Sequence, residues 1–278
     1  MTPRRPPGAA ERRSDSGWGR VGPGERGSEE RGVSDLVGFV LVFSLIAAVV
    51  SIVSLAGLAS LEDARDAQQT DNAELAMEVL SDNVADITER GAPSRATEIS
   101  LSDASLTLAD PIQIEVRDPT GPPDESFLTT RTFNVRPIVY DDGDTQLVYV
   151  MGAIFRDERQ GGTVVQPWSP VVDADRMMVQ VVNTGSATDG LQLIESSTVL
   201  VRANANQRVV VAADETGAYE DIRINVTSPR RDLWNRMLDD HPAMDCSTAG
   251  PETVECEVTV DPQDLYVVEH RIAVDFEK

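Results

Sequence analysis

Residues 36–61 read LVGFVLVFSLIAAVVSIVSLAGLASL, and no charged side chain falls between Asp35 and Glu62. As an α-helix, the stretch from Leu36 to Leu61 rises about 39 Å, against about 30 Å of hydrocarbon in a bilayer. No second run of this kind occurs in the sequence. One crossing near the N-terminus makes everything after it a tethered domain.

The helical pattern extends in both directions from this run. Ser34 is a suitable N-cap. Residues 62–90 contain neither proline nor glycine, and Ala73, Ala76, Met77, Leu80, Val84 and Ile87 recur at three- and four-residue spacing. That spacing predicts one apolar stripe on a helix. Gly91 followed by Pro93 is a stop signal. A break near Asn72 is compatible with the pattern. Upstream, residues 1–32 are arginine, glycine, proline, serine and glutamate with few apolar residues, too little to bury a core, so disorder is expected.

Charge sets the expected orientation. Residues 1–32 hold seven arginines against five carboxylates, net +2, whereas the remainder carries 17 basic and 42 acidic side chains, net −25. Only Arg65 lies just after the span. The positive-inside rule therefore predicts a cytoplasmic N-terminus and an extracellular C-terminal part. No basic patch follows residue 62, which argues against nucleic-acid binding. Lys278 is the only lysine. An acid-rich, lysine-poor composition that keeps its arginines is the kind that high-salt, high-GC organisms give, and screened carboxylates then serve solubility.

After Pro93 the apolar period changes to two. Strands are expected over 97–101, 105–108, 112–117, 127–139, 145–155, 176–182, 191–194, 198–212, 218–226, 254–260 and 265–276. Turn material separates them, such as Asp118-Pro119, Gly121-Pro122-Pro123, Asp141-Asp142-Gly143 and Asp261-Pro262. One short helix interrupts the strands, with Ser228 as cap, Pro229 at its first position and Leu233, Trp234, Met237 and Leu238 on its buried face. The expected fold class is α+β. A long N-terminal helix, transmembrane in its first half, precedes an antiparallel β-rich, sandwich-like head. The expected parts are a disordered cytoplasmic leader (1–32), a transmembrane helix (33–61), a helical stalk (62–92) and an extracytoplasmic head (93–278).

The segment Arg31-Gly32-Val33-Ser34-Asp35-Leu36-Val37-Gly38-Phe39 resembles the N-terminus of archaeal type IV pilin-like proteins, whose leader ends in a basic and a small residue just before the apolar helix. The resemblance implies a leader-peptidase junction between Gly32 and Val33, with a prepilin peptidase as partner. It also implies that the 36–61 helix packs with copies of itself or other pilin-like subunits once it leaves membrane lipid. This chain has Asp35 where halophilic pilins usually carry proline, and Val37 where bacterial pilins carry glutamate. Residues 71–98, with Asn72-Ala73-Glu74 and Gly91-Ala92-Pro93-Ser94-Arg95-Ala96-Thr97-Glu98, look like a group of haloarchaeal single-span surface proteins of unknown function.

Candidate sites in the head are few. Cys246 and Cys256 form an even pair on the predicted outer side, where a disulfide is compatible with the compartment. The alternative is a metal site assembled from His241, Asp245, Cys246, Cys256 and His270, but nine residues between the cysteines is not a zinc spacing. Asn225-Val226-Thr227 is an N-glycosylation sequon. Asp141-Asp142-Gly143-Asp144 reads as a hairpin turn rather than a calcium loop. Asp173 and Asp175 read as solvated carboxylates. No nucleophile elbow, phosphate loop or His-Glu-x-x-His occurs. No catalytic residue, metal or cofactor is expected. The alternatives to a pilin-like protein are an unprocessed signal-anchored envelope protein and a membrane-tethered solute-binding or enzymatic domain.

Overall fold

A computed structural model describes residues 29–117, 130–187, 193–194, 198–214, 219 and 221–277. The expected disordered leader lies outside these residues up to position 28, while positions 29–32 are helical. The expected Gly121-Pro122-Pro123 turn also lies outside them, as do the starts of the strands expected from 127, 191 and 218.

The chain divides into two units, Met1–Leu61 and Glu62–Lys278. Helix α1 covers Glu29–Arg90. Ser34 is therefore inside the helix and not its cap, because the Glu-Glu-Arg segment before it has good helical propensity and extends the helix upstream. There is no break at Asn72.

In the second unit the apolar stripe is buried as its spacing predicts. Ala73, Met77, Leu80, Val84 and Ile87 are buried, and Ala76 packs beside them. The stop at Gly91 is also as read. Gly91 adopts φ +71, and the Ala92 N–H donates to the Asp86 carbonyl at 3.1 Å, which satisfies a carbonyl of the last turn.

Three sheets follow. The first contains β1 (Ser94–Ser100), β9 (Val171–Val172), β10 (Arg176–Ser186), β12 (Thr198–Asp214) and β16 (Asp264–Glu277), in the order β1-β12-β16-β10-β9. The second contains β2 (Ser105–Leu108), β5 (Ile138–Asp141), β6 (Thr145–Val150), β7 (Ala153–Glu158), β8 (Gly161–Gln166) and β11 (Leu193–Ile194), in the order β11-β2-β5-β6-β7-β8. The third contains β3 (Ile112–Arg117), β4 (Arg131–Val135), β13 (Arg223–Thr227), β14 (Met244–Thr248) and β15 (Thr253–Val258), in the order β14-β15-β13-β3-β4. Pairing is antiparallel except between β10 and β16, which run parallel from Arg176↔Asp264 to Ser186↔Val274.

The second sheet explains why the head has more layers than a two-sheet sandwich. Its middle strands are apolar on both faces. Ile138, Tyr140, Leu147, Tyr149 and Ile154 join the core beneath residues 73–87 of α1. Their alternating neighbours Val139, Val148, Val150 and Phe155 join a separate core built with the third sheet and helix α2 (Arg231–Asp239). A sheet covered on both faces needs near-continuous apolar strands rather than alternation.

Helix α2 buries Leu233, Trp234, Met237 and Leu238, the four side chains expected. It begins at Arg231, not Pro229, and Arg230 occupies the cap position without a side-chain capping bond. Ser228 instead closes a local turn, its Oγ accepting from the Arg230 N–H at 3.2 Å. Arg230 points at the second sheet. Its Nε lies 3.1 Å from Asp157 Oδ2, and its guanidinium donates to Gln146 Oε1. Burial draws the Arg230 guanidinium below its ordinary pKa, and Asp157 opposes that pull.

Candidate functional site

The feature most open to a partner is residues 36–61. Their large apolar side chains are between 51% and 70% exposed, from Val49 to Leu55. In water such a surface favours association or membrane entry. Two of its hydroxyls are satisfied within the helix. The Ser51 and Ser60 hydroxyls donate to the carbonyls of Ala47 and Ala56, four residues back, at 2.8 and 3.0 Å. That internal satisfaction is what a backbone in hydrocarbon requires. The helix is long and apolar enough to cross a bilayer. The candidate junction Gly32–Val33 lies inside α1, upstream of this surface.

In the head, Cys246 and Cys256 face each other across β14 and β15 and are joined by a disulfide. The metal alternative loses both thiolates to that bond. His241 follows α2, its Nδ1 accepting the Ala243 N–H at 3.2 Å, whereas His270 is buried in β16 of another sheet. Among the described residues no group of three or more histidine, cysteine, aspartate or glutamate side chains is placed to hold a metal. The bridge closes a short loop, worth about 2–3 kcal/mol in the chain-entropy estimate. A Cys256→Ser variant should lose about that much in urea unfolding. A loss under about 0.5 kcal/mol would show that the β14–β15 pairing holds without the bridge.

The acidic turns are occupied by their own backbone. Asp141 Oδ1 accepts the Gly143 N–H at 2.8 Å, and Asp142 Oδ1 accepts those of Asp144 and Thr145 at 3.0 and 2.7 Å. Gly143 takes φ +95, so the hairpin reading holds. Asp173 is exposed, as a solvated carboxylate is, and it also closes its own turn. Its Oδ1 accepts the N–H groups of Asp175 and Arg176, both at 2.9 Å.

Asn225 lies in β13, the middle strand of the third sheet, paired in register with Glu115 and Glu255. Its Oδ1 is buried and unbonded among the described residues, and the sequon hydroxyl of Thr227 is 3.1 Å from that of Thr253. A glycan at Asn225 has to leave from the face of a sheet, not from a loop. Beside it, Arg117 and Arg223 both hold Glu255, at 2.6 and 3.0 Å. This cluster escapes sequence reasoning because 138 residues separate Arg117 from Glu255.

His270 gives the head a pH dependence. Burial pushes its imidazole below the ordinary value, and the neighbouring Arg208 adds to the effect. A histidine with a lowered folded-state pKa binds its proton more readily once unfolded. Its contribution is complete above about pH 6.5 and is lost as pH falls from there toward the folded value. The thermal midpoint should fall between about pH 7 and 5.5, and His270→Gln should flatten that fall. Equal slopes in the two proteins would assign the effect to other groups.

A model of a family of unknown function (DUF7289) matches residues 31–275, and the chain belongs to that family. No curated protein and no solved structure matches the chain.

Proposed function

We propose that this DUF7289 chain is a single-span, pilin-like surface protein with a structural or adhesive role, its head outside the cell and its first residues in the cytoplasm. The observation that carries the reading is the uncharged, exposed helix of residues 36–61, joined to a head with its own buried cores. Seven arginines before the span supply the orientation. The family match begins at Arg31, beside the Gly32–Val33 junction, so the sequence common to the family omits almost all of the leader. In this reading membrane lipid is the first partner, prepilin peptidase acts on the junction, and copies of the chain or related subunits meet through the apolar helix. The head acts by surface recognition and not by catalysis.

A second reading is an unprocessed signal anchor. It is favoured by Asp35 and Val37 at positions where pilins carry other residues, and by the placement of Gly32–Val33 inside α1. Mass spectrometry of the N-terminus separates the two. Pilin-like handling gives a mature chain starting at Val33, and Gly32→Val abolishes that product. A chain that keeps residues 1–32 intact in the native host removes the processed reading and leaves the anchor.

A further inference from the structure

A cavity of about 320 Å³ lies where α1, the β1–β2 turn and the β5–β6 hairpin meet. Each of the three brings carboxylate to it: Asp66 from the helix, Asp103 from the turn, Asp142 and Asp144 from the hairpin. Arg156 is the one cation in the lining, and Glu74 at 3.2 Å and Glu158 at 2.7 Å already hold it. Asp144 meets Arg159 at 2.7 Å at an exposed edge. The carboxylates of Asp66 and Asp103 are exposed and make no ion pair among the described residues. The cavity is therefore more negative than its own chain neutralises.

Carboxylates are common on a chain of net charge −23, and Tyr140 is what sets this group apart. It is 1% exposed, packed in the core beneath α1, and it lines the cavity. Its hydroxyl has no hydrogen-bond partner among the described residues. A tyrosine buried to this degree ordinarily finds one. Burial, and after it the charge of Asp142, pushes the hydroxyl up to about 12, so the oxygen stays neutral at pH 7 and keeps its lone pairs for a donor. The influence of Asp142 places that hydroxyl end beside the carboxylates of the lining. Asp142 itself retains acceptor capacity, its Oδ2 taking the Thr70 hydroxyl at 2.8 Å. The lining selects a ligand class. Its charge rejects anions. Among the described residues no three acidic side chains are placed to hold one metal ion, so a bare divalent cation lacks its ligands. A cation whose charge is divided along a short chain, and which carries N–H donors for the phenolic oxygen, matches both the spread of the carboxylates and the unmet acceptor.

We propose that this cavity binds a short aliphatic diamine, one ammonium donating to Tyr140 Oη and the Asp142 carboxylate, the other facing Asp66 and Asp103. The proposal goes beyond the anchoring reading and does not depend on which side of a membrane the head occupies.

The test is isothermal titration calorimetry at pH 7 on the full chain in a non-ionic detergent. About 1 M salt shortens the Debye length to about 3 Å and screens diffuse attraction to the acidic surface. The probes are putrescine and its fully N-methylated bis-quaternary analogue, which has the same charge and no N–H donor. The expected result is a Kd of about 1 mM for putrescine and binding at least about tenfold weaker for the analogue. Tyr140→Phe should weaken putrescine about tenfold, the size of one lost hydrogen bond to a charged group. It leaves folding intact, because the hydroxyl it removes bonds to nothing in the described chain. Asp103→Asn, at an exposed position, should weaken it about threefold. No heat from putrescine up to about 10 mM overturns the proposal. So does equal binding of the quaternary analogue, or wild-type affinity in Tyr140→Phe, since the attraction is then charge alone. None of these outcomes bears on membrane anchoring, which the N-terminal and topology measurements test separately.

Discussion

Replacing Val49 and Val50 with arginine should remove this chain from the membrane fraction. Both positions lie near the middle of the 36–61 run, and both side chains are exposed to whatever surrounds the helix. Each arginine at a helix centre costs about 2.5–3.5 kcal/mol of insertion, and each lost valine removes a favourable contribution of a few tenths, for a total of about 6–8 kcal/mol. Arginine is a good helix former, so the substitution attacks the solvent preference of the helix and not its formation. The readout is sedimentation after alkaline-carbonate extraction. Wild type and a Val49→Leu, Val50→Leu control stay in the pellet, and the double-arginine chain does not. A double-arginine chain that stays in the pellet would show that the apolar run is not what holds the protein there.

The second large effect belongs to Trp234. This side chain is 1% exposed on α2 and meets Phe155 and Trp168 edge-to-face, with ring centroids 5.3 and 6.3 Å away. A helix of nine residues with no side-chain cap has little stability of its own. It is held by its buried face, and Trp234 is the largest part of that face. Trp234→Ala should destabilise the head by about 3–5 kcal/mol, the lost transfer energy plus the cavity left between the second and third sheets. Urea unfolding followed by circular dichroism measures it. A loss below about 1 kcal/mol would mean that α2 is not part of the cooperative core.

Where sequence reading succeeded and where it failed has a common cause. The 73–87 stripe, the Gly91 stop and the buried face of α2 were legible because each is encoded by neighbours within one or two helical turns. The disulfide was legible because only two cysteines exist to pair. The expected strands 127–139 and 145–155 are each two strands in the molecule. The first ends at the Arg136-Pro137 step, and the second folds back at Met151-Gly152. Neither break has an ordinary turn sequence in a stretch that is otherwise apolar. β8 opens on two glycines and β14 reads Met-Asp-Cys-Ser-Thr, so neither shows an apolar alternation. β8 is held by pairing with β7 and by Leu233 packed against Gly162, β14 by pairing with β15. The parallel β10–β16 pair joins strands 88 positions apart in register, and no local pattern announces it. The Ser81–Gln166 hydrogen bond was invisible for the same reason: the two residues are 85 positions apart.

The central claim is that one apolar helix fixes an acidic, strand-built head on the outer side of a membrane. The single lysine makes that directly measurable. An amine-reactive, membrane-impermeant reagent applied to intact cells should label the C-terminal peptide containing Lys278 before lysis. Label that reaches Lys278 only after the envelope is broken would place the head inside and contradict the account.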